Sequence, residues 1–145
     1  MKRIAQLQPL SKEHHLSLTL GQKAIHVSQK GDPEAIRMLC DKIIADYPSL
    51  WRVHFDIEED SIFTPLEEKS SKLFNLCQQL RNEHKILDDY YQKMKSGDTS
   101  VLLAFGTLLK QHTRIEERQL FPLLEQILNN EELDVIFQTS EKYKD

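Results

Sequence analysis

Apolar residues recur along this chain at steps of three and four, over long stretches that little interrupts. One stretch reads Leu73, Cys77, Leu80, His84, Leu87, Tyr91, Met94, and another reads Phe105, Leu108, His112, Ile115, Leu120, Leu123. In an α-helix that spacing gathers side chains on one face, so each stretch predicts a helix that buries a stripe against its neighbours. The breaks are short. Gly31-Asp32-Pro33 offers a glycine stop, an aspartate cap and a proline suited to a first turn. A polar run from Glu67 to Ser71 follows Pro65, and Ser96-Gly97-Asp98 and Asn129-Asn130 supply the other breaks. Four helical segments result, roughly 11–30, 33–66, 70–95 and 98–128, with Ser11 as the cap of the first. The tail, 131–144, reads as a fifth helix or a frayed end. Proline disfavours helix at the residue before it, so Tyr47-Pro48 predicts a kink or break in the second segment. Short connections make consecutive helices antiparallel. The expected fold is all-α, an up-down-up-down antiparallel four-helix bundle over about 11–128, forming one domain across 1–145.

Composition narrows the class. Of 145 residues, 39% are apolar and 29% charged, as in soluble globular chains, while 4 Gly and 5 Pro are too few for a turn-rich β fold. No apolar run approaches the ~20 residues that span a bilayer. The N-terminal Met1 to Gln6 lacks the apolar stretch of a secretion signal. Nineteen basic against 23 acidic residues give a net charge of −4 without a basic stripe, which argues against a nucleic-acid partner. Cys40 and Cys77 form no CxxC and read as buried core thiols in a reducing, cytoplasmic setting.

Six histidines change the picture. His54-Phe55-Asp56-Ile57-Glu58-Glu59 runs into Ile62-Phe63-Thr64-Pro65-Leu66, and His112-Thr113-Arg114-Ile115-Glu116-Glu117 runs into Leu120-Phe121-Pro122-Leu123. Glu13-His14 is likewise echoed by Glu83-His84, so the first two helices read as a copy of the second two. Residues four apart share a helix face, which pairs His54 with Glu58 and His112 with Glu116 on apolar stripes. His14 and His84 lie on the stripes of their own helices. His15, about 100° around the helix, is the alternative to His14. His26 lies off the stripe and reads as surface, and Tyr47, Trp51, Tyr90 and Tyr91 read as core or surface aromatics. Glu59 and Glu117 are rotated about 100° off the ligand face and are expected to be dispensable.

Distance from the turns brings these groups to similar height. His84 lies 13 residues before Gly97 and His112 15 after it. His14 and His54 lie 17 and 23 residues from Gly31, a mismatch that the break at Pro48 can absorb. Buried carboxylates and imidazoles at one height need neutralisation, which a metal supplies. Nitrogen and oxygen donors without thiolate suit iron, manganese or zinc. Six ligands, two of them carboxylates able to bridge, suit two metal ions rather than one.

The order H…HxxxE…H…HxxxE, with Glu-Glu doublets and the following Phe and Pro, resembles the hemerythrin-like (HHE cation-binding) domain family from Leu10 to about Glu125. The resemblance implies a four-helix bundle holding two non-haem iron ions, oxo- or hydroxo-bridged. It implies His14, His54, His84 and His112 as terminal ligands and Glu58 and Glu116 as bridges. It also implies a small diatomic or peroxide ligand, bound or sensed, or alternatively a redox enzyme or iron donor that consumes peroxide or repairs iron–sulfur clusters. The oxygen carriers of the family have a further histidine one turn from the third-helix histidine. Here those positions are Leu80 and Asp88, which speaks against reversible oxygen carriage and leaves Asp88 as a possible extra carboxylate ligand.

Overall fold

The computed structural model describes residues 3–144; every regular element in it is helical, and no strand occurs among the described residues. The helices are α1 (Gln8–Lys30), α2 (Pro33–Asp46), α3 (Trp51–Glu58), α4 (Thr64–Lys69), α5 (Ser71–Lys95), α6 (Leu102–Ile115), α7 (Phe121–Ile127) and α8 (Asn130–Lys144). Short 3-10 turns at Ala5–Leu7 and Thr99–Val101 lead into α1 and α6. Two π turns, Glu59–Phe63 and Glu116–Leu120, join α3 to α4 and α6 to α7. No helix among the described residues is long and apolar enough to cross a membrane.

Local chemistry sets most boundaries. Gly31 closes α1 at φ 75°, a left-handed conformation that a side chain would oppose. The Asp32 carboxylate accepts from the Glu34 N–H and caps α2, with Pro33 in its first turn. Ser70 caps α5 by accepting from the Leu73 N–H. Asn129 and Glu132 bond reciprocally, side chain to backbone at 2.9 and 3.1 Å, so the tail starts as a capped helix rather than a frayed end. Its Leu133 and Ile136 are buried, and Tyr143–Asp60 and Lys69–Glu132 contacts hold it down.

Two boundaries depart from the sequence reading. The first helix begins three residues earlier, at Gln8, with Pro9 in its first turn; Ser11 lies inside it and donates to Glu117 instead of capping. The second segment breaks after Asp46, as Tyr47-Pro48 predicts, but it is divided once more by the π turn Glu59–Phe63, which the sequence pattern does not predict. Tyr47 itself keeps a helical conformation and donates to the Ile43 carbonyl; the chain then turns through Pro48 to Leu50, because Pro48 has no N–H with which to continue the helical ladder.

Two apolar clusters form the core. One includes Leu10, Ile57, Phe63, Leu80, Leu120 and Phe121; the other includes Ala24, Tyr47, Phe55, Leu87, Phe105 and Leu109. Along α1, α5 and α6 the histidines fall between the residues of one cluster and those of the other, so a polar layer divides the core. Cys40 and Cys77 are buried among these clusters, and burial pushes the Cys77 thiol up to about 12, which keeps it protonated and inert.

The tightest seam is α1 against α6. Gly21 and Gly106 let the two backbones approach, and Ser17 and Thr113 hydrogen-bond across at 2.8 Å. A Cβ on Gly106 would sit 2.6 Å from the Ala24 Cβ and 2.8 Å from the Gly21 carbonyl oxygen, neither of which can swing away. Gly106→Ala should therefore destabilise the fold by about 1–3 kcal/mol, read as a lower midpoint in urea unfolding at unchanged slope.

Candidate metal centre

The two HxxxE pairs arrive on matching pieces of chain. Each pair lies at the end of a helix, with Glu58 the last residue of α3 and Glu116 the first of the π turn after α6, and each runs straight into a π turn. Thr64 donates to the Glu59 carbonyl and Phe121 to the Glu116 carbonyl, five residues back in each case. The residues that follow, Pro65 and Pro122, lack an N–H and clash with the carbonyl four back, so an ordinary helical register is disfavoured there. The wider turn relieves that conflict one turn beyond the carboxylates, a position where π turns recur at functional sites.

All six side chains named for the site point into one buried layer. His14, His54, Glu58, His84, His112 and Glu116 are at most 4% exposed. Their Nε2 atoms face the carboxylates. His14 and His54 lie 3.3 and 3.1 Å from Glu58 Oε2, and His84 lies 3.1 Å from Glu58 Oε1. His14 and His112 lie 3.1 and 3.3 Å from Glu116 Oε1, and the His84 and His112 Nε2 atoms are 3.1 Å apart. These atoms form two overlapping groups, each within 4.8 Å: His14, His54, Glu58 and Glu116, and Glu58, His84, His112 and Glu116. Both carboxylates belong to both groups.

A second set of carboxylates fixes the histidines from outside. Glu13 lies 2.8 Å from His54 Nδ1, Glu83 2.8 Å from His112 Nδ1, Glu59 2.8 Å from His84 Nδ1 and Glu117 2.5 Å from His14 Nδ1. A carboxylate accepts, so every Nδ1 carries its hydrogen and donates outward. Each neutral ring then turns an Nε2 lone pair inward, toward carboxylate oxygens that are themselves acceptors. Both oxygens of Glu116 are buried without a hydrogen bond. Lone pairs converging on ionised carboxylates in a dry layer repel one another unless positive charge sits between them. Imidazoles presenting Nε2 with Nδ1 tied to carboxylate are oriented as metal ligands. The donor set therefore fits a bound cation.

Protonation is the alternative source of positive charge, and the electrostatics show the demand for it. Burial alone would push His14, His54 and His112 down, but the surrounding carboxylates prevail. Glu116, Glu117 and Glu58 hold His14 well above its usual range. Glu58 and Glu13 raise His54 to about 9, and Glu116 and Glu83 raise His112 to about 10. Burial likewise opposes ionisation of Glu58, yet His54, His14 and His84 hold it well below the ordinary carboxylate range.

Sequence spacing found the inner layer and missed the outer one. His14 is buried in the group, while His15 and His26 are exposed. Asp88 is outside both groups and pairs with Arg52. Rotation does keep Glu59 and Glu117 out of the inner layer, but it delivers them to histidines of the other half of the chain, so they are not idle. Their signal was present in the repeated Glu-His and Glu-Glu doublets. Glu117 is further held by Ser11, and Glu59 by Arg81 at 3.5 Å.

The family model described as hemerythrin HHE cation binding domain matches residues 6–124 of this chain. No curated protein and no solved structure matches it.

Two outcomes follow from the double layer. Glu59→Ala and Glu117→Ala should each weaken divalent-cation binding by about 10–100-fold in titration calorimetry, with helical content unchanged. In the metal-free protein, the raised imidazoles stay protonated in the fold from about pH 6.5 to about 9–10, whereas the unfolded chain releases those protons near 6.5. Their stabilisation is thus complete below about 6.5 and lost as pH rises through 9 to 10. The thermal midpoint should fall across that window, and a saturating divalent cation should flatten the slope by replacing the protons.

Proposed function

The chain belongs to the hemerythrin HHE cation-binding family, and on that premise we propose that it is a non-haem di-iron protein that binds or senses a small oxidant such as oxygen or nitric oxide. His14 and His54 would hold one iron, His84 and His112 the other, and Glu58 and Glu116 would bridge the two. The observation that carries this reading is the membership of both carboxylates in both donor groups. One tetrahedral ion would need neither the second histidine pair nor a shared carboxylate. Iron in such a site would supply electron transfer to, and binding of, a small exogenous molecule.

The chain's own residues supply the rest. Glu13, Glu59, Glu83 and Glu117 hold the Nδ1 protons and fix the ring planes. Phe121 packs on His14 and Phe63 on His84, with ring centroids 5.0 and 5.5 Å apart, which keeps bulk water out of the layer. Leu80, fully buried in an apolar cluster, and Asp88, paired with Arg52, stand at the two positions one turn from His84, and neither supplies the additional histidine of the family's oxygen carriers. That favours sensing or one-way oxidation over reversible carriage. The buried thiols Cys40 and Cys77 suit a cytoplasmic setting. The second reading, a redox enzyme that consumes peroxide or an iron donor for cluster repair, draws on the same missing histidine.

Anaerobic reconstitution with ferrous iron should load about two ions per chain, and after oxidation Mössbauer spectra should show magnetic coupling between them. Glu58→Ala and Glu116→Ala should each abolish the coupled pair. A clean single, uncoupled iron would refute the dinuclear reading. Multiple turnovers of hydrogen peroxide by the same sample would favour the enzyme over the sensor.

A further inference from the structure

The flanks of the metal layer are closed to different degrees. The residue after His112 is Thr113, which bonds to Ser17 within the sealed α1–α6 seam. The residue after His54 is Phe55, its counterpart in the other half of the repeat, and no such seam covers it. Beside it a cavity of about 390 Å³ lies between α3 and α5, walled by Tyr47, Arg52, Phe55, Glu59, His84 and Asp88. Phe55 also touches the histidines. Its ring stacks on His84 with centroids 4.1 Å apart, and it meets His54 and His112 edge-on at 5.9 Å. His84 thus borders the cavity directly, and Phe55 is the side chain that stands between the cavity and the His54 and His112 rings.

The wall has a definite chemistry. The Arg52–Asp88 ion pair ties α3 to α5 at the cavity. Asp56 and Asp89 add to Glu59 and Asp88 on the acidic side, against Arg52 and Lys85. Two more acidic than basic groups make the mouth unfavourable for anions. The Tyr47 hydroxyl is fully buried in the wall without a hydrogen bond, and its ring is held flat against Tyr91 at 4.2 Å. Burial pushes the phenol up, with Arg52 only partly offsetting, so the hydroxyl keeps its proton.

The geometry points to this cavity as the access route to the metal layer, with Phe55 as its plug and size filter and the acidic wall selecting uncharged small oxidants over anions. The inference rests on the di-iron reading above. Phe55 must swing aside to admit a ligand, a side-chain rotation for which the adjoining cavity leaves room.

The test uses the full chain loaded with iron, with nitric oxide as the neutral probe on the ferrous form and azide as the anionic probe on the ferric form. Iron content is measured first for every variant; a wild-type chain that takes up no iron refutes the di-iron reading rather than the route. Phe55→Leu should raise the nitric oxide association rate by about tenfold or more. Phe55→Trp, which enlarges the plug, should lower it, and Phe121→Leu on the His14 side should leave it within about twofold. Asp56→Asn combined with Asp89→Asn should speed azide by severalfold, reduce its salt dependence and leave nitric oxide unchanged. Equal acceleration by Phe55→Leu and Phe121→Leu, or no response to either Phe55 variant, would overturn the route. Azide rates insensitive to salt and to the paired asparagines would overturn the charge selection.

Discussion

Four imidazole lone pairs and two buried carboxylates face one another across a few ångströms, and this arrangement is unfavourable without positive charge between them. The rest of the structure serves to hold that layer in place. Apolar clusters above and below it remove water, which raises the cost of bare like charge and the gain from a bound cation. The outer carboxylates prevent the rings from rotating their lone pairs away. The π turns put Pro65 and Pro122 beyond the carboxylates without moving Glu58 and Glu116 off the buried face.

Duplication explains how so short a chain builds two layers. Within each half, the glutamate before the first histidine anchors the second: Glu13 to His54, Glu83 to His112. Between halves, the outer glutamate of each doublet anchors the other half's first histidine: Glu59 to His84, Glu117 to His14. The cross-ties make the layer a product of both halves, so neither half alone fixes both of its histidines. The halves have also diverged. Glu58 reaches three imidazoles and Glu116 two, and Phe55 stands where the other half has Thr113.

Much of this was legible in the residues themselves. The three-and-four spacing gave helices because one-sided burial has a helical period, and the apolar neighbours of His14, His84 and His112 showed that these histidines point inward. The outer layer was not legible by that rule. A residue 100° off a stripe is read as solvent-facing, yet where three helices meet, such a position faces a neighbour's edge, and Glu59 and Glu117 do so. The π turns were hidden for a related reason. Thr64-Pro65 and Phe121-Pro122 show that a helical bond must be lost, but not that the chain answers with a wider turn rather than a break. Ser11 looked like a cap because serine at a helix start usually is one; Pro9 in the first turn moved the start upstream and left Ser11 free to hold Glu117.

The central claim is that cations sit between the inward Nε2 atoms and share the two glutamates. X-ray absorption at the iron edge of the reconstituted protein tests it most directly. The account predicts outer-shell scattering from imidazole rings on each iron together with a second iron at bridging distance, both lost in Glu58→Ala. Iron surrounded by oxygen alone, without imidazole scattering and unchanged by Glu58→Ala, would contradict it.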